Sequence, residues 1–190
     1  MTASDRVRFE AAFEAHHRAV LAYALRRVAT ASDAEDAAAE TFAVAWRRVD
    51  ILPEPEAALP WLLAIARRVV ANQRRSGARR FRLGLRLRAE ARERTVDQES
   101  GDPPIEALER LRPDDRELLR LLAWDGLTQA EAGVVLGITA NAVAIRLHRA
   151  RRRFAEELAR LAVKGPAPSR TSDLVEGRMP GRRSREEHAP

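Results

Sequence analysis

The sequence predicts an all-α protein with two small helical domains joined by a flexible linker, of which the C-terminal one is a helix-turn-helix. Apolar residues recur at helical spacing in residues 5–75 and 105–163, and no alternation with a period of two persists in either stretch. The residues between these stretches are charged and then contain Pro and Gly, which is typical of a linker. Within residues 127–153 a short turn with Gly137 separates two helical patterns, which indicates the helix-turn-helix.

These patterns predict the domain boundaries. We expect one domain at residues 5–78, a linker at 79–104 and a second domain at 105–163. Residues 164–190 are rich in Pro, Gly, Ser and Arg with few large apolar side chains, so we expect a disordered tail there. Prolines at 53, 55 and 60 interrupt the first domain and predict a loop within it.

Composition limits the classes of function. Among 190 residues, 34 Lys and Arg outnumber 28 Asp and Glu, and the net charge of +6 favours a polyanionic partner. The absence of cysteine removes disulfides, thiolate metal sites and thiol nucleophiles from consideration. The N-terminus lacks the continuous apolar core of a signal peptide, and no apolar run approaches the length of a membrane span, so we expect a cytoplasmic protein without membrane insertion.

An acidic helix is predicted in the first domain. Ser32 followed by Glu35 indicates a capping box, and the helix should run to about Val49 with Phe42 and Trp46 on its buried stripe. The opposite stripe is acidic with one basic end and consists of Asp33, Asp36, Glu40 and Arg47. From the residues alone, this stripe is either a solvated face or a binding surface.

The same carboxylates raise a catalytic alternative. Asp36 and Glu40 lie four residues apart on one helix, so together with Asp33 they would suit a metal-dependent nuclease. However, no His or Asn accompanies them, and His16 and His17 lie on a different helix. We therefore predict no catalytic residue, no metal and no cofactor.

A basic helix follows the proline loop. Pro60 lies near its start, where a missing N–H costs nothing. Its apolar face consists of Leu62, Ile65, Ala66 and Val69. Its other face consists of Arg67, Arg68, Arg74 and Arg75, with Trp61 and Asn72 at the margins. Arginines that face phosphate and an indole that stacks on bases predict a single-strand platform, and the alternative is that Trp61 belongs to the core.

The helix-turn-helix has recognisable ends. Thr128 and Glu131 form a capping box, Gly137 ends the first helix, and Thr139 is a suitable N-cap for the second. One stripe of the second helix should be buried and consists of Val143, Leu147, Ala150 and Phe154.

The outward side of this second helix suits a DNA major groove. It consists of Thr139, Asn141, Ala142, Ile145, Arg146, His148, Arg149 and Arg152. Asn pairs with adenine, Arg with guanine or phosphate, and an apolar side chain with the thymine methyl group. The alternative is a solvated amphipathic helix that merely ends in positive charge.

Three segments in this order resemble the sigma-70 family of bacterial RNA polymerase initiation factors, specifically the short two-domain extracytoplasmic-function (ECF) sigma factors. They are DAEDAAAETFAVAWRR at 33–48, LPWLLAIARRVVANQRR at 59–75, and LRPDDRELLRLLAWDGLTQAEAGVVLGITANAVAIRLHRARRR at 111–153. With their spacing, they cover most of residues 9–160.

The resemblance implies roles for the three surfaces. The acidic stripe would dock on the β′ clamp helices of core RNA polymerase, the basic helix would capture and open the promoter −10 element, and the second helix of the pair would read the −35 element. It also implies the polymerase β flap and an anti-sigma factor as partners, and no catalysis.

One departure from the family pattern affects promoter reading. The family often has a basic and then a small hydroxyl residue where this chain has Ala144 and Ile145. The −35 contacts should therefore be more apolar here. An ordinary helix-turn-helix regulator that binds duplex DNA alone remains the alternative to a sigma factor.

Overall fold

The computed structural model describes residues 2–87 and 102–164, and every regular element in this part of the chain is helical. The α-helices are α1 (Ala3–Leu25), α2 (Ala31–Arg47), α3 (Ala58–Leu87), α4 (Pro103–Glu109), α5 (Pro113–Ala123), α6 (Gln129–Leu136) and α7 (Ala140–Lys164), and two short 3-10 helices lie at Val49–Ile51 and Pro55–Ala57. The first three α-helices form the N-terminal domain and the other four form the C-terminal domain. The predicted fold class is confirmed.

The helices α1, α2 and α3 of the N-terminal domain pack against one another. Many of their buried positions are alanine, which lets helix axes approach closely. Larger side chains fill the remaining space, and Tyr23, Leu62 and Leu63 are at most 1% exposed. Ring contacts join α1 to α2, since the centroids of Phe9 and Trp46 lie 4.8 Å apart in an edge-on arrangement. The apolar face predicted for the basic helix is buried as expected.

The C-terminal domain packs α4 and α5 on the long helix α7. Leu118 and Leu121 of α5 are fully buried, as is Val143 of α7. The carboxylate of Asp115 is also buried and accepts a hydrogen bond of 2.5 Å from Nη1 of Arg153. This ion pair fixes α5 against α7 inside the domain.

The start of α2 differs from our prediction. Thr30, not Ser32, is the N-cap: its backbone is extended and its hydroxyl oxygen accepts a hydrogen bond of 3.1 Å from the Asp33 amide. The sequence contains two overlapping hydroxyl-x-x-acid pairs, and the first of them sets the register. The helix also ends earlier, at Arg47, because the chain tightens into a 3-10 turn at Val49–Ile51.

Helices extend into both ends of the linker that we predicted at residues 79–104. The helix α3 continues to Leu87, because residues 79–87 are mostly Arg and Leu, which are good helix formers. The helix α4 begins at Pro103, where proline is tolerated in a first turn. The remainder of the linker, residues 88–101, and residues 165–190 of the predicted tail lie outside the described residues.

The two domains contact each other. The helix α3 packs against α6, and one continuous cluster contains buried apolar side chains from both domains. No single helix in the described part is long and apolar enough to span a membrane. The bent pair of Gln129–Leu136 and Ala140–Ala162 together has the length and apolar composition of a span, but these are the only two criteria that it meets.

Candidate nucleic-acid interface

The turn between α6 and α7 brings the two helices to a steep crossing, with 98° between their directions. The predicted capping box is present, since the Thr128 amide donates to Oε2 of Glu131 at 2.7 Å and the Glu131 amide donates to the Thr128 hydroxyl oxygen at 3.3 Å. The hydrogen bond from the Thr128 backbone lowers the pKa of the Glu131 carboxyl group. Gly137 ends α6 with a φ of +69°, a conformation that glycine adopts without strain.

Gly133 makes the close crossing sterically feasible, and our sequence reasoning missed it. A Cβ atom built on Gly133 would lie only 2.7 Å from the carbonyl oxygen of Ile138 in the turn. The Ile138 amide in return donates a hydrogen bond of 3.0 Å to the Gly133 carbonyl oxygen. The available signal was an isolated glycine within a helical pattern, which usually marks a close backbone approach.

The orientation of α7 agrees with the predicted helical wheel. Thr139 caps the helix by accepting a hydrogen bond of 3.2 Å from the Ala142 amide. The predicted buried stripe lies inward, although Phe154 is only half-buried. Of the outward residues, Ala142 and Arg146 are half-buried, and the exposed ones are Thr139, Asn141, Ile145, His148, Arg149 and Arg152. The side that would face a groove is therefore open to solvent.

A cationic cleft adjoins this side of α7. It has a volume of about 730 Å³ and lies between the start of α5 and the middle of α7. Four arginines line it together with only two acidic residues: Arg112, Arg146, Arg149 and Arg153, with Asp114 and Asp115. Guanidinium groups in such an excess suit the phosphate oxygens of a DNA backbone.

The basic residues of α3 are divided between different contacts. Trp61 is half-buried and packs against the core, as the alternative for this residue anticipated. Arg75 donates to the Asn72 amide oxygen at 2.5 Å, and Arg74 donates to the backbone carbonyl oxygen of Arg27. Arg68 is exposed.

A groove between α2 and α3 adds residues that our sequence reasoning missed. It has a volume of about 410 Å³ and is lined by Arg68 and Asn72, and also by Arg48 and Gln73. The amide oxygen of Gln73 is buried there and accepts no hydrogen bond from the described residues. In the sequence, only the position of Gln73 beside Asn72 on the basic helix indicated that it could belong to this groove.

The predicted acidic stripe is exposed along α2, with all four of its members at the surface. Arg47 donates to Glu40 at 3.0 Å. Asp33 accepts a hydrogen bond of 2.7 Å from the Thr30 hydroxyl group, so this residue also supports the helix start. Among residues 2–87 and 102–164, no group of three or more His, Asp or Glu side chains is placed to hold a metal ion, so the nuclease alternative has no candidate site there.

The chain matches two models of one protein family. Residues 12–80 match sigma-70 region 2, and residues 105–154 match sigma-70 region 4. The ECF RNA polymerase sigma factor SigL of Mycobacterium tuberculosis is 27% identical over 167 residues, which span 85% of this chain and 94% of SigL.

Solved structures give a similar result. The structure of CnrH in complex with the cytosolic domain of CnrY is similar with a TM-score of 0.56 and 26% identity, over 80% of this chain and 88% of that chain. The sigma factor RpoE in complex with the anti-sigma factor NepR from Bartonella quintana shares the fold, with a TM-score of 0.54, 22% identity, and coverage of 77% of this chain and 94% of that one. Because both family regions are present, in order and over more than half of its length, the chain belongs to the sigma-70 family, with relatives among the ECF RNA polymerase sigma factors.

Proposed function

We propose that this chain binds core RNA polymerase, directs it to a set of promoters and helps to open the DNA. The observation that carries this proposal is the presence in one chain of three distinct faces, on α2, α3 and α7, in the order in which the family regions occur. An acidic face and a basic face suit two different partners. A duplex-binding regulator would need only the helix-turn-helix.

We assign a set of residues on each face to one partner. Core polymerase binds, through its β′ clamp helices, to Asp33, Asp36, Glu40 and Arg47. The −10 element binds to Trp61, Arg67, Arg68, Asn72, Arg74 and Arg75, and the groove beside them adds Gln73. The −35 element binds to Thr139, Asn141, Ala142, Ile145, Arg146, His148, Arg149 and Arg152. The first two sets lie in a domain at 5–78, the third in a domain at 105–163, and residues 79–104 link them.

Promoter opening follows from coupled binding. The helix α7 docks on duplex DNA, and the basic face of α3 holds non-template bases once they leave the stack. The free energy of binding to the exposed strand offsets part of the cost of separating the base pairs. The chain therefore assists melting without making or breaking a covalent bond. The release of counterions from phosphates makes both steps sensitive to salt.

Further partners follow from the family. The β flap of the polymerase is expected to contact the C-terminal domain. Because CnrH and RpoE were solved with CnrY and the anti-sigma factor NepR, we propose that an anti-sigma factor also binds this chain. Because promoter DNA and RNA polymerase lie in the bacterial cytoplasm, we propose that this chain acts there.

The test is transcription with reconstituted polymerase. Core enzyme with and without this chain is incubated with fragmented genomic DNA, and the 5′ ends of the transcripts are sequenced. We expect starts that depend on the chain and share −35 and −10 motifs. A chain that binds duplex DNA alone, fails to bind core enzyme and yields no new starts would instead be a stand-alone regulator.

A further inference from the structure

Positive charge without a partner collects on one side of the C-terminal domain. Of the ten arginines in the described residues 102–164, six form ion pairs, namely Arg110, Arg116, Arg120, Arg152, Arg153 and Arg160. The other four have neither an ion pair nor a side-chain hydrogen bond within the described parts of the chain. Three of these four, Arg112, Arg146 and Arg149, line the cleft between the start of α5 and the middle of α7. The unpaired charge therefore faces one cleft instead of being spread over the domain surface.

The two acidic residues of the cleft compensate little of this charge. The Asp115 carboxylate is buried and pairs with Arg153, so these two charges neutralise each other. The Asp114 side chain is 67% exposed, and its carboxylate lies 4.0 Å from Arg67 on α3. Three guanidinium groups in the cleft therefore face one carboxylate. An anion that enters the cleft is attracted by these groups more strongly than Asp114 repels it.

The three unpaired cations come from two different elements. Arg112 precedes α5 and is exposed, whereas Arg146 and Arg149 lie on α7. The pair of Asp115 with Arg153, whose atoms lie 2.5 Å apart, holds the start of α5 against α7. Because a buried carboxylate is costly to leave unpaired, this pair resists separation of the two elements. Both walls of the cleft therefore carry positive charge, and the fold sets the distance between their backbones.

The cleft adjoins the proposed recognition face. Ala142 and Ile145, both assigned above to the −35 element, also line it. When a helix lies in a major groove, the sugar-phosphate backbones run along both of its sides. A duplex that Ile145 contacts would therefore bring one backbone to the cleft. Guanidinium groups from both walls could then donate to the oxygens of that backbone.

We propose that the start of α5 is a second DNA contact of the C-terminal domain, in which Arg112 holds a backbone phosphate of the −35 duplex against Arg146 and Arg149. Arg112 lies outside the helix-turn-helix, and a phosphate is the same at every base pair. It therefore contributes no base preference and instead fixes the position of α7 in the groove. This inference rests on the DNA-binding function proposed above.

Uncharged phosphate analogues locate this contact. Holoenzyme is reconstituted from core polymerase and the full chain, and the probe is a duplex with the −35 motif found by transcript sequencing. A methylphosphonate replaces one phosphate at a time, and fluorescence anisotropy gives each dissociation constant. Wild-type binding should weaken about fivefold at several positions. Arg112→Ala should weaken binding to the unmodified duplex about fivefold and remove the sensitivity at one or two adjacent positions only.

Further variants separate a phosphate contact from a general effect of charge. Arg110→Ala is the matched control, because Arg110 is exposed, pairs with Glu106 and does not line the cleft. It should weaken binding by less than about twofold and keep the wild-type pattern of sensitive phosphates. Asp114→Asn removes the opposing carboxylate and should strengthen binding to every sequence about twofold. Arg112→Ala should also reduce the slope of log affinity against log salt by about 1, whereas Arg112→Lys should keep the wild-type slope.

Two results would overturn the role of Arg112. One is an Arg112→Ala variant that keeps the wild-type sensitivity at every phosphate, and the other is an effect no larger than that of Arg110→Ala. Far-UV circular dichroism checks that each variant is folded. If Arg112→Ala loses helical content, Arg112→Gln replaces it with the same expected pattern. Wild-type holoenzyme that binds no −35 duplex would refute the proposed function and this contact with it, whereas binding without the expected pattern refutes only the contact.

Discussion

Ile145 is the outward residue of α7 that departs most from its polar neighbours, and it is 49% exposed in the middle of the proposed recognition face. An apolar side chain there can contact the methyl group of a thymine. We expect Ile145→Ser to change the −35 preference at one base pair, with a loss of about 1 kcal/mol in discrimination, or roughly fivefold. Selection of −35 variants by reconstituted holoenzyme measures this change.

Ala155→Ser is the control for that experiment, because Ala155 is exposed on the same helix but lies beyond the outward residues assigned to DNA. It should leave the preference unchanged. An unaltered preference with Ile145→Ser would mean that the wrong side of α7 has been assigned to the groove.

Arg152 should act on phosphate, because it lies nearer the end of the recognition face and its side chain is 71% exposed. We expect Arg152→Ala to weaken binding to all sequences alike and to reduce the slope of log affinity against log salt by about 1. Binding of the holoenzyme to several −35 duplexes at two salt concentrations measures both quantities.

Glu156 offers a test in the opposite direction. Its carboxylate lies 3.5 Å from Nε of Arg152 and partly neutralises that charge. Glu156→Gln should therefore strengthen binding slightly and without base preference. A base-specific effect of Arg152→Ala would contradict the assignment to phosphate.

At the level of elements, α2 combines a buried face that packs on α1 and α3 with an acidic face that makes few contacts. We expect Asp36→Lys with Glu40→Lys to abolish co-purification with core polymerase. Both residues are exposed, and the lost pair of Glu40 with Arg47 contributes at most about 1 kcal/mol, so the helical content should not change.

The matched control reverses the same amount of charge on α1. Glu10→Lys with Glu14→Lys also changes two exposed acids four residues apart, and it should preserve binding to core polymerase. If the α2 variant still binds with unaltered affinity, the acidic stripe is only a solvated surface.

The crossing of α6 and α7 depends on Gly133. In an open helix, replacing glycine by alanine gains about 1 kcal/mol. Here the added methyl group would collide with the backbone oxygen of Ile138, and neither helix can shift without changing the crossing. We expect Gly133→Ala to lower the free energy of unfolding by about 1–3 kcal/mol, measured by denaturant titration.

The exposed neighbour Val134 provides the comparison, and Val134→Ala should change stability by no more than about 0.5 kcal/mol. A stabilised Gly133→Ala variant would show that the turn can open by several tenths of an ångström without cost.

At the level of the whole molecule, the two DNA faces should contribute to separate steps. Arg68 and Arg75 are better probes of opening than Trp61 and Arg74, because Trp61 packs against the core and Arg74 is bonded to a backbone carbonyl oxygen. We expect Arg68→Ala with Arg75→Ala to reduce transcription from closed promoters, and a template melted in advance around −10 should restore it.

The matched control is Arg18→Ala with Arg160→Ala, which removes the same charge from exposed positions outside the proposed −10 and −35 faces. It should reduce transcription from closed promoters much less. Equal impairment of the Arg68 and Arg75 variant on melted and closed templates would argue against a role in opening. Measurement of abortive products on both templates distinguishes the two outcomes.

Features that depend on local chemistry could be predicted from the amino-acid sequence. Thr128, Glu131, Gly137 and Thr139 specified the ends of α6 and α7, because capping side chains and a left-handed glycine act within a few residues. Helical periodicity likewise specified the inward and outward sides of α7. The order of the three segments was enough to indicate the family.

Features in which distant residues meet could not be predicted from the sequence, because they depend on the packing of whole helices. The start of α2 at Thr30 required a choice between two local caps of similar quality, and the collision at Gly133 depends on where the following turn passes. The buried Arg27 pairs with Glu117 and Asp125, which lie 90 and 98 positions further along the chain, and no spacing in the sequence encodes these contacts. Contacts of this kind depend on how whole helices pack, because a buried charge finds its partner only after the surrounding apolar surfaces have come together.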